Sequence, residues 1–176
     1  MIAAIGRSAA LGLIALAAAS VIRPAAGQEP PAPGALPPMD EQQVEDWTVR
    51  CAKDAPQKRC EMVQMVREGD NGRELLLVAM GYPPGETQLL AWLVLPLGVL
   101  LPPGLGLKVD EAEPARLPFQ FCEPNGCLAP WALTEAEIGK LKAGQKLVVI
   151  VHDRNGKRFG LPVSLKGFTA ALSKLQ

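Results

Sequence analysis

Between Leu89 and Leu107 the chain reads LLAWLVLPLGVLLPPGLGL, an apolar run with no charged residue. A run of this length meets the requirement for a membrane-spanning helix. Its prolines and glycines oppose that helix. Pro96 would fall in its middle and Pro102-Pro103 towards its end, and each interior proline costs about 3 kcal/mol. Gly98, Gly104 and Gly106 weaken it further. As strands the same residues parse without conflict. QLLAWLVL reads as a central strand buried on both faces, PLG as a turn, VLL as a short extended piece, PPG as a second turn and LGLKVD as an alternating strand. The run is therefore expected to build a sheet core rather than to cross a bilayer. A share of it could instead form a surface patch for a partner.

The flanking sequence carries the same period of two. In DWTVRC, Trp47, Val49 and Cys51 fall on one face and Thr48 and Arg50 on the other, as in a half-buried strand. CEMVQMV and ELLLVAMGY read as strands around REGDNGREL, where Asn71-Gly72 favours a hairpin. FQFCEPNGCLAPW predicts a second hairpin, with Phe119 and Phe121 on one face. QKLVVIVHD and RFGLPVSL predict a third, turning at RNGK. LTEAEIGKLKAG is the strongest helix: Thr134 and Glu137 form a capping box, Leu133 and Ile138 a hydrophobic staple, and Gly144 suits a left-handed C-terminal position. At the carboxyl end Phe168, Ala171, Leu172 and Leu175 share one helical face. With 17 Pro and 17 Gly, turns are frequent and long helices disfavoured. The expected fold is mainly β: a single antiparallel, β-sandwich-like domain of seven to nine strands with two short helices.

The first residues follow another logic. MIAAIGRSAALGLIALAAASVIRPAAGQ has one early positive charge, Arg7, then an uncharged run from Ser8 to Ile22, then small residues at Ala25 and Gly27. That is the layout of a cleaved secretory signal peptide, residues 1–27, and no cysteine at the junction suggests a lipid anchor. Cleavage removes Arg7 and Arg23 and no acid, leaving 16 basic and 18 acidic residues. This balance gives no reason to expect nucleic acid as a partner. Residues 28–45 open with QEPPAPGALPP and read as an extended Pro-rich linker, with the domain proper spanning 46–176.

Export implies an oxidising compartment, where paired cysteines become disulfides. Four cysteines allow three pairings. Cys51 and Cys60 bracket AKDAPQKR, and Cys122 and Cys127 bracket EPNG. The turn-forming residues inside each interval favour the two local bridges, Cys51–Cys60 and Cys122–Cys127. Neither interval has the Cys-x-x-Cys spacing of a redox dithiol or a zinc knuckle.

Few residues point to chemistry. His152 is the sole histidine; its neighbour Asp153 points to the opposite face of a strand and is badly placed to orient it as a triad would. Ser164, in PVSLKGF, suits a cap of the terminal helix better than a nucleophile. Asp110, Glu111 and Glu113 lack the ligand ladder of a calcium loop and read as a solvated turn. Arg154, Lys157 and Arg158 surround Asn155-Gly156 and form a basic hairpin tip, a candidate contact for an anionic surface. No catalytic, cofactor-binding or metal-ligating set is assigned.

Taken in order, DWTVRC…RCEMVQ, LPLGVLLPPGLGLKVD, PFQFCEPNGCLA and LPVSLKGFTAAL resemble the invasion-associated locus B family of exported bacterial proteins, over Trp47 to Leu172. The resemblance implies a periplasmic or envelope-associated, β-rich domain with no defined reaction; its namesake is linked to entry into host cells. The expected function is a non-enzymatic module, periplasmic, secreted or outer-envelope associated, that binds an unknown protein or envelope component. A carrier of an apolar ligand and a periplasmic enzyme of unknown reaction are the alternatives. No membrane span is expected in the mature chain, and the sequence is silent on oligomeric state.

Overall fold

A computed structural model describes residues 39–53, 59–69 and 72–175. The expected signal peptide and the Pro-rich stretch up to residue 38 lie outside the described residues. Eleven strands run in chain order: β1 (Met39–Val44), β2 (Trp47–Ala52), β3 (Cys60–Arg67), β4 (Glu74–Gly81), β5 (Leu90–Leu95), β6 (Leu105–Val109), β7 (Ala115–Leu117), β8 (Phe121–Glu123), β9 (Gly126–Ala132), β10 (Lys146–His152) and β11 (Arg158–Ser164). Helix α1 (Glu135–Ala143) separates β9 from β10, and α2 (Phe168–Leu172) follows β11. The strands form two antiparallel sheets, in the orders β1-β2-β3-β4-β5-β9-β8 and β11-β10-β6-β7. No helix among the described residues is long and apolar enough to cross a membrane.

The alternation read from the sequence sets the core. Trp47, Met62, Val78 and Leu93 from the larger sheet meet Leu105, Val149 and Val163 from the smaller, and α1 and α2 add Leu141 and Phe168. The apolar run supplies Leu89, Ala91, Leu93, Leu95, Leu105 and Leu107 to this core. The PPG turn works as expected: Gly104 donates its N–H to the Leu101 carbonyl at 2.9 Å with φ +68°. A Cβ there would lie 2.6 Å from the Leu117 carbonyl oxygen, so glycine is required twice over.

Four expectations are corrected. First, β5 is not buried on both faces; Leu90, Trp92 and Val94 point away from the core. Second, VLL is not a strand but a single bridge, Val99 to Asp153. Third, ordered structure starts before residue 46, because β1 pairs along its full length with β2. Gln43 of β1 shows why: its side chain accepts from Thr48 Oγ1 and donates to the Glu45 carbonyl, which closes the turn into β2. Fourth, Gly144 is extended, with φ −80° and ψ 167°. Its glycine is demanded by packing, since a Cβ would lie 2.6 Å from Val109 Cγ1.

Residues facing each other across the larger sheet line up in rows. One outward row runs Phe121, Leu128, Val94, Leu77 and Met65, from β8 to β3. The next runs Pro130, Trp92, Ala79 and Val63. On β2 and β1 the outer face turns polar, with Arg50, Thr48 and Gln43, and Glu61 of β3 joins Arg50 there.

At α1 the capping box forms. Thr134 Oγ1 accepts from the Glu137 N–H at 3.3 Å, and Glu137 Oε2 accepts from the Thr134 N–H at 2.7 Å. Trp131 Nε1–H adds a third link to Glu137, at 3.1 Å. Burial alone would raise the Glu137 pKa. The Thr134 N–H and hydroxyl, the Trp131 indole and the Lys140 charge outweigh it and hold the carboxyl below 4.5. A lowered folded pKa stabilises fully above the unfolded value and is lost as pH falls through the folded one. Thr134→Ala is expected to cost about 1 kcal/mol at neutral pH, with a smaller deficit in acid. Urea titrations at descending pH check this, and a deficit that grows in acid contradicts it.

Candidate functional site

The basic hairpin tip expected from the sequence is present. The Asp153 carboxylate accepts from the N–H groups of Asn155 (2.8 Å) and Lys157 (2.9 Å), and Gly156 takes φ +80°. Asp153 therefore organises the turn and not His152. Arg154, Lys157 and Arg158 are exposed and make no ion pair among the described residues.

The tertiary structure gives this tip a neighbour that no local pattern shows. The segment leaving β5 crosses to the smaller sheet, where the Leu100 N–H donates to the His152 carbonyl at 2.9 Å and Val99 bridges to Asp153. That crossing lays the LPLG turn beside the tip. A groove of about 490 Å³ opens between them. Its apolar wall is Leu75, Leu97 and Phe159, and its polar groups include Arg73, Asp153 and Arg154. Leu97 is 59% exposed and Phe159 38%. Arg73 arrives from the start of β4 and holds Glu68 only loosely, at 3.5 Å. The groove thus joins two apolar anchors to two guanidinium groups.

The other sequence candidates separate. Asp110 accepts from the Gln145 and Lys146 N–H groups, at 3.1 and 3.0 Å, and so ties β6 to β10. Glu111 pairs with Lys108 at 3.0 Å. Glu111, Glu113, Lys108 and Arg158 line a shallow recess of about 370 Å³ on the smaller sheet, with charges of both signs. No group of three or more metal-ligating side chains occurs among the described residues. His152 Nδ1 is buried without a hydrogen-bond partner there.

Ser164 is not the cap of α2. That position belongs to Gly167, with φ +82° and no side-chain cap. Ser164 Oγ instead accepts from the Lys166 N–H, while its backbone meets Gln64: the Ser164 N–H donates to Gln64 Oε1 at 2.7 Å, and Gln64 Nε2 donates back at 3.1 Å. The amide stands in for a further strand at this end of the β11 edge, and Pro162 removes an N–H farther along it. Gln64→Leu is expected to cost about 1–3 kcal/mol by leaving the Ser164 N–H without its acceptor. Urea unfolding of the variant tests that value. Sequence reasoning passed over Gln64, as it passed over Arg73 and Phe159 in the groove.

Both local disulfides are formed, Cys51–Cys60 and Cys122–Cys127, and no cysteine is free. Each joins residues directly opposite in a ladder, β2 with β3 and β8 with β9.

The fold matches that of invasion associated protein B from Bartonella henselae, a crystal structure, with a TM-score of 0.68 at 23% identity, over 77% of this chain and 93% of that one. Two proteins described as invasion protein B homologs, from Brucella abortus strain 2308 and from Brucella abortus biovar 1 strain 9-941, are each 31% identical over 133 residues, covering 75% of this chain and 76% of theirs. The family model described as "Invasion associated locus B (IalB) protein" matches residues 47–176. The chain belongs to the invasion associated locus B family.

Proposed function

We propose that this chain is an exported, non-enzymatic binding module of the cell envelope. In this reading the groove between the LPLG turn and the β10–β11 tip takes an acidic, apolar-anchored segment of an envelope protein. The observation that carries it is the pairing of exposed Leu97 and Phe159 with Arg73 and Arg154 around one concavity. Apolar anchors ringed by guanidinium groups favour an acidic partner, through pocket filling and charge complementarity. Two neighbouring bases, Lys157 and Arg158, add positive charge beside the groove. The carrier reading is less favoured: the apolar recess under α1, near Trp131 and Leu107, holds about 90 Å³, whereas small-molecule sites begin near about 300 Å³.

Export is tested by the mass of the natural product, which should begin at Gln28. Binding is tested with a photo-crosslinking residue at Leu97, in the native envelope. A single adduct of defined mass is expected there and not from the same probe at Lys142. Its yield should fall at least about tenfold in Arg73→Glu/Arg154→Glu, because like charges facing each other cost several kcal/mol. Adducts indifferent to that reversal would remove the groove from the proposal. An assay with turnover that depended on His152 or one carboxylate would remove the non-enzymatic reading.

A further inference from the structure

Antiparallel sheets with one solvated face normally alternate apolar-in and polar-out. Across β3, β4, β5, β9 and β8 this sheet does not. Its outer face presents Val63, Leu77, Trp92, Val94, Leu128 and Phe121, aligned by register into a continuous apolar surface. Trp92 and Phe121 are 36% and 42% exposed. From these positions we infer that the face is a contact between two copies of the chain, packed sheet against sheet.

Three observations select a second copy. The first is area. Five strands about 4.8 Å apart, with one to three outward apolar residues each, cover on the order of 500 Å². Two such faces bury about 1,000 Å², the lower bound for a specific interface. The second is charge. The ion pairs bordering the patch, Arg50–Glu61 and Arg67–Glu74, are each closed at 2.7 Å, and Glu123 of β8 stands at its edge. The paired charges along the border leave little to attract an acidic or basic partner, whereas a two-fold contact needs only a self-complementary patch. A lipid surface would call on bases, and the basic cluster Arg154, Lys157 and Arg158 lies at the β10–β11 tip, on the other sheet. The third is shape. Two faces with identical twist pack at about −30° with their side chains interleaved, as in any aligned sandwich. Trp92 lies on the central strand of the five and beside the row from Phe121 to Met65, where a dominant contact residue is expected.

Sedimentation velocity of the exported chain, over a micromolar concentration series, reads the outcome directly. The wild type is expected to reach twice the chain mass. Trp92→Glu should weaken that association by about 30-fold or more, while Arg73→Glu/Arg154→Glu should leave it unchanged, which keeps this test separate from the groove. A circular-dichroism spectrum shows whether Trp92→Glu is folded. Should it not fold, a photo-crosslinker at Leu90 in otherwise wild-type protein replaces it, with a homodimer adduct expected. A wild type that stays monomeric, or a folded Trp92→Glu that dimerises as before, overturns the inference. So does a Leu90 crosslink to residues 28–38 of the same chain, or flotation with lipid vesicles that Trp92→Glu abolishes.

Discussion

Trp47→Ala is expected to lower unfolding free energy by about 3–5 kcal/mol, the range for deleting a large buried aromatic side chain. Trp47 is fully buried. Its ring meets Phe168 of α2 edge to face, with centroids 5.7 Å apart. Its Nε1–H donates to the Ser164 carbonyl of β11 at 3.1 Å. The one side chain therefore touches the larger sheet, the smaller sheet and the terminal helix. Removing it leaves a cavity at the join, and only partial collapse is available because β2 is fixed by β1 and β3 on either side. Trp47→Phe keeps most of the volume and loses the N–H donor. The Ser164 carbonyl still accepts from Gln64, so that variant should lose about 1–2 kcal/mol. Urea unfolding of the three proteins gives the comparison. A loss below about 1 kcal/mol for Trp47→Ala would show that the sheets do not depend on this join.

Reduction of both disulfides is expected to remove about 5 kcal/mol in total. The loops closed by Cys51–Cys60 and Cys122–Cys127 have sequence separations of 9 and 5, and chain-entropy arguments give about 2–3 kcal/mol for each. Domains are stable by about 5–15 kcal/mol, so this loss is about a third or more of the total. The two bridges should differ in reach. Cys60 belongs to the core cluster, and its bridge lies in the β2–β3 ladder. Cys122 lies in an exposed edge strand held by β9 alone. Cys51→Ala/Cys60→Ala should shift global unfolding, while Cys122→Ala/Cys127→Ala should raise hydrogen exchange first around β8. Equal midpoints with and without reductant would contradict the ledger.

Local pattern made much of this legible. The prolines in the apolar run ruled out a spanning helix, and period-two alternation put Trp47 and Val49 on one face of β2, the buried one. The capping box at Thr134 was readable because it depends on residues three apart. The disulfide pairing was readable because each bridge closes over its own turn. Errors arose where a residue's role depends on what lies beside it in space. Gly144 read as a left-handed cap because its neighbour Val109 is distant in sequence. Ser164 read as a cap because Gln64 lies 100 positions away. Strand β5 read as doubly buried because an apolar run has no intrinsic sign that one face stays uncovered.

By itself, then, the sequence determined most element types from β2 onward, the alternation along β2, and which cysteines close short loops. These follow from interactions over a few residues, and a period of two or a turn preference is written in consecutive letters. Only the tertiary structure decided which surfaces meet: that Arg73 and Phe159 share a groove with Leu97, that Gln64 caps the β11 edge, and that an apolar sheet face is left outward. Such adjacency is set by strand order and register summed over the whole chain, a long-range balance of burial that no short stretch encodes.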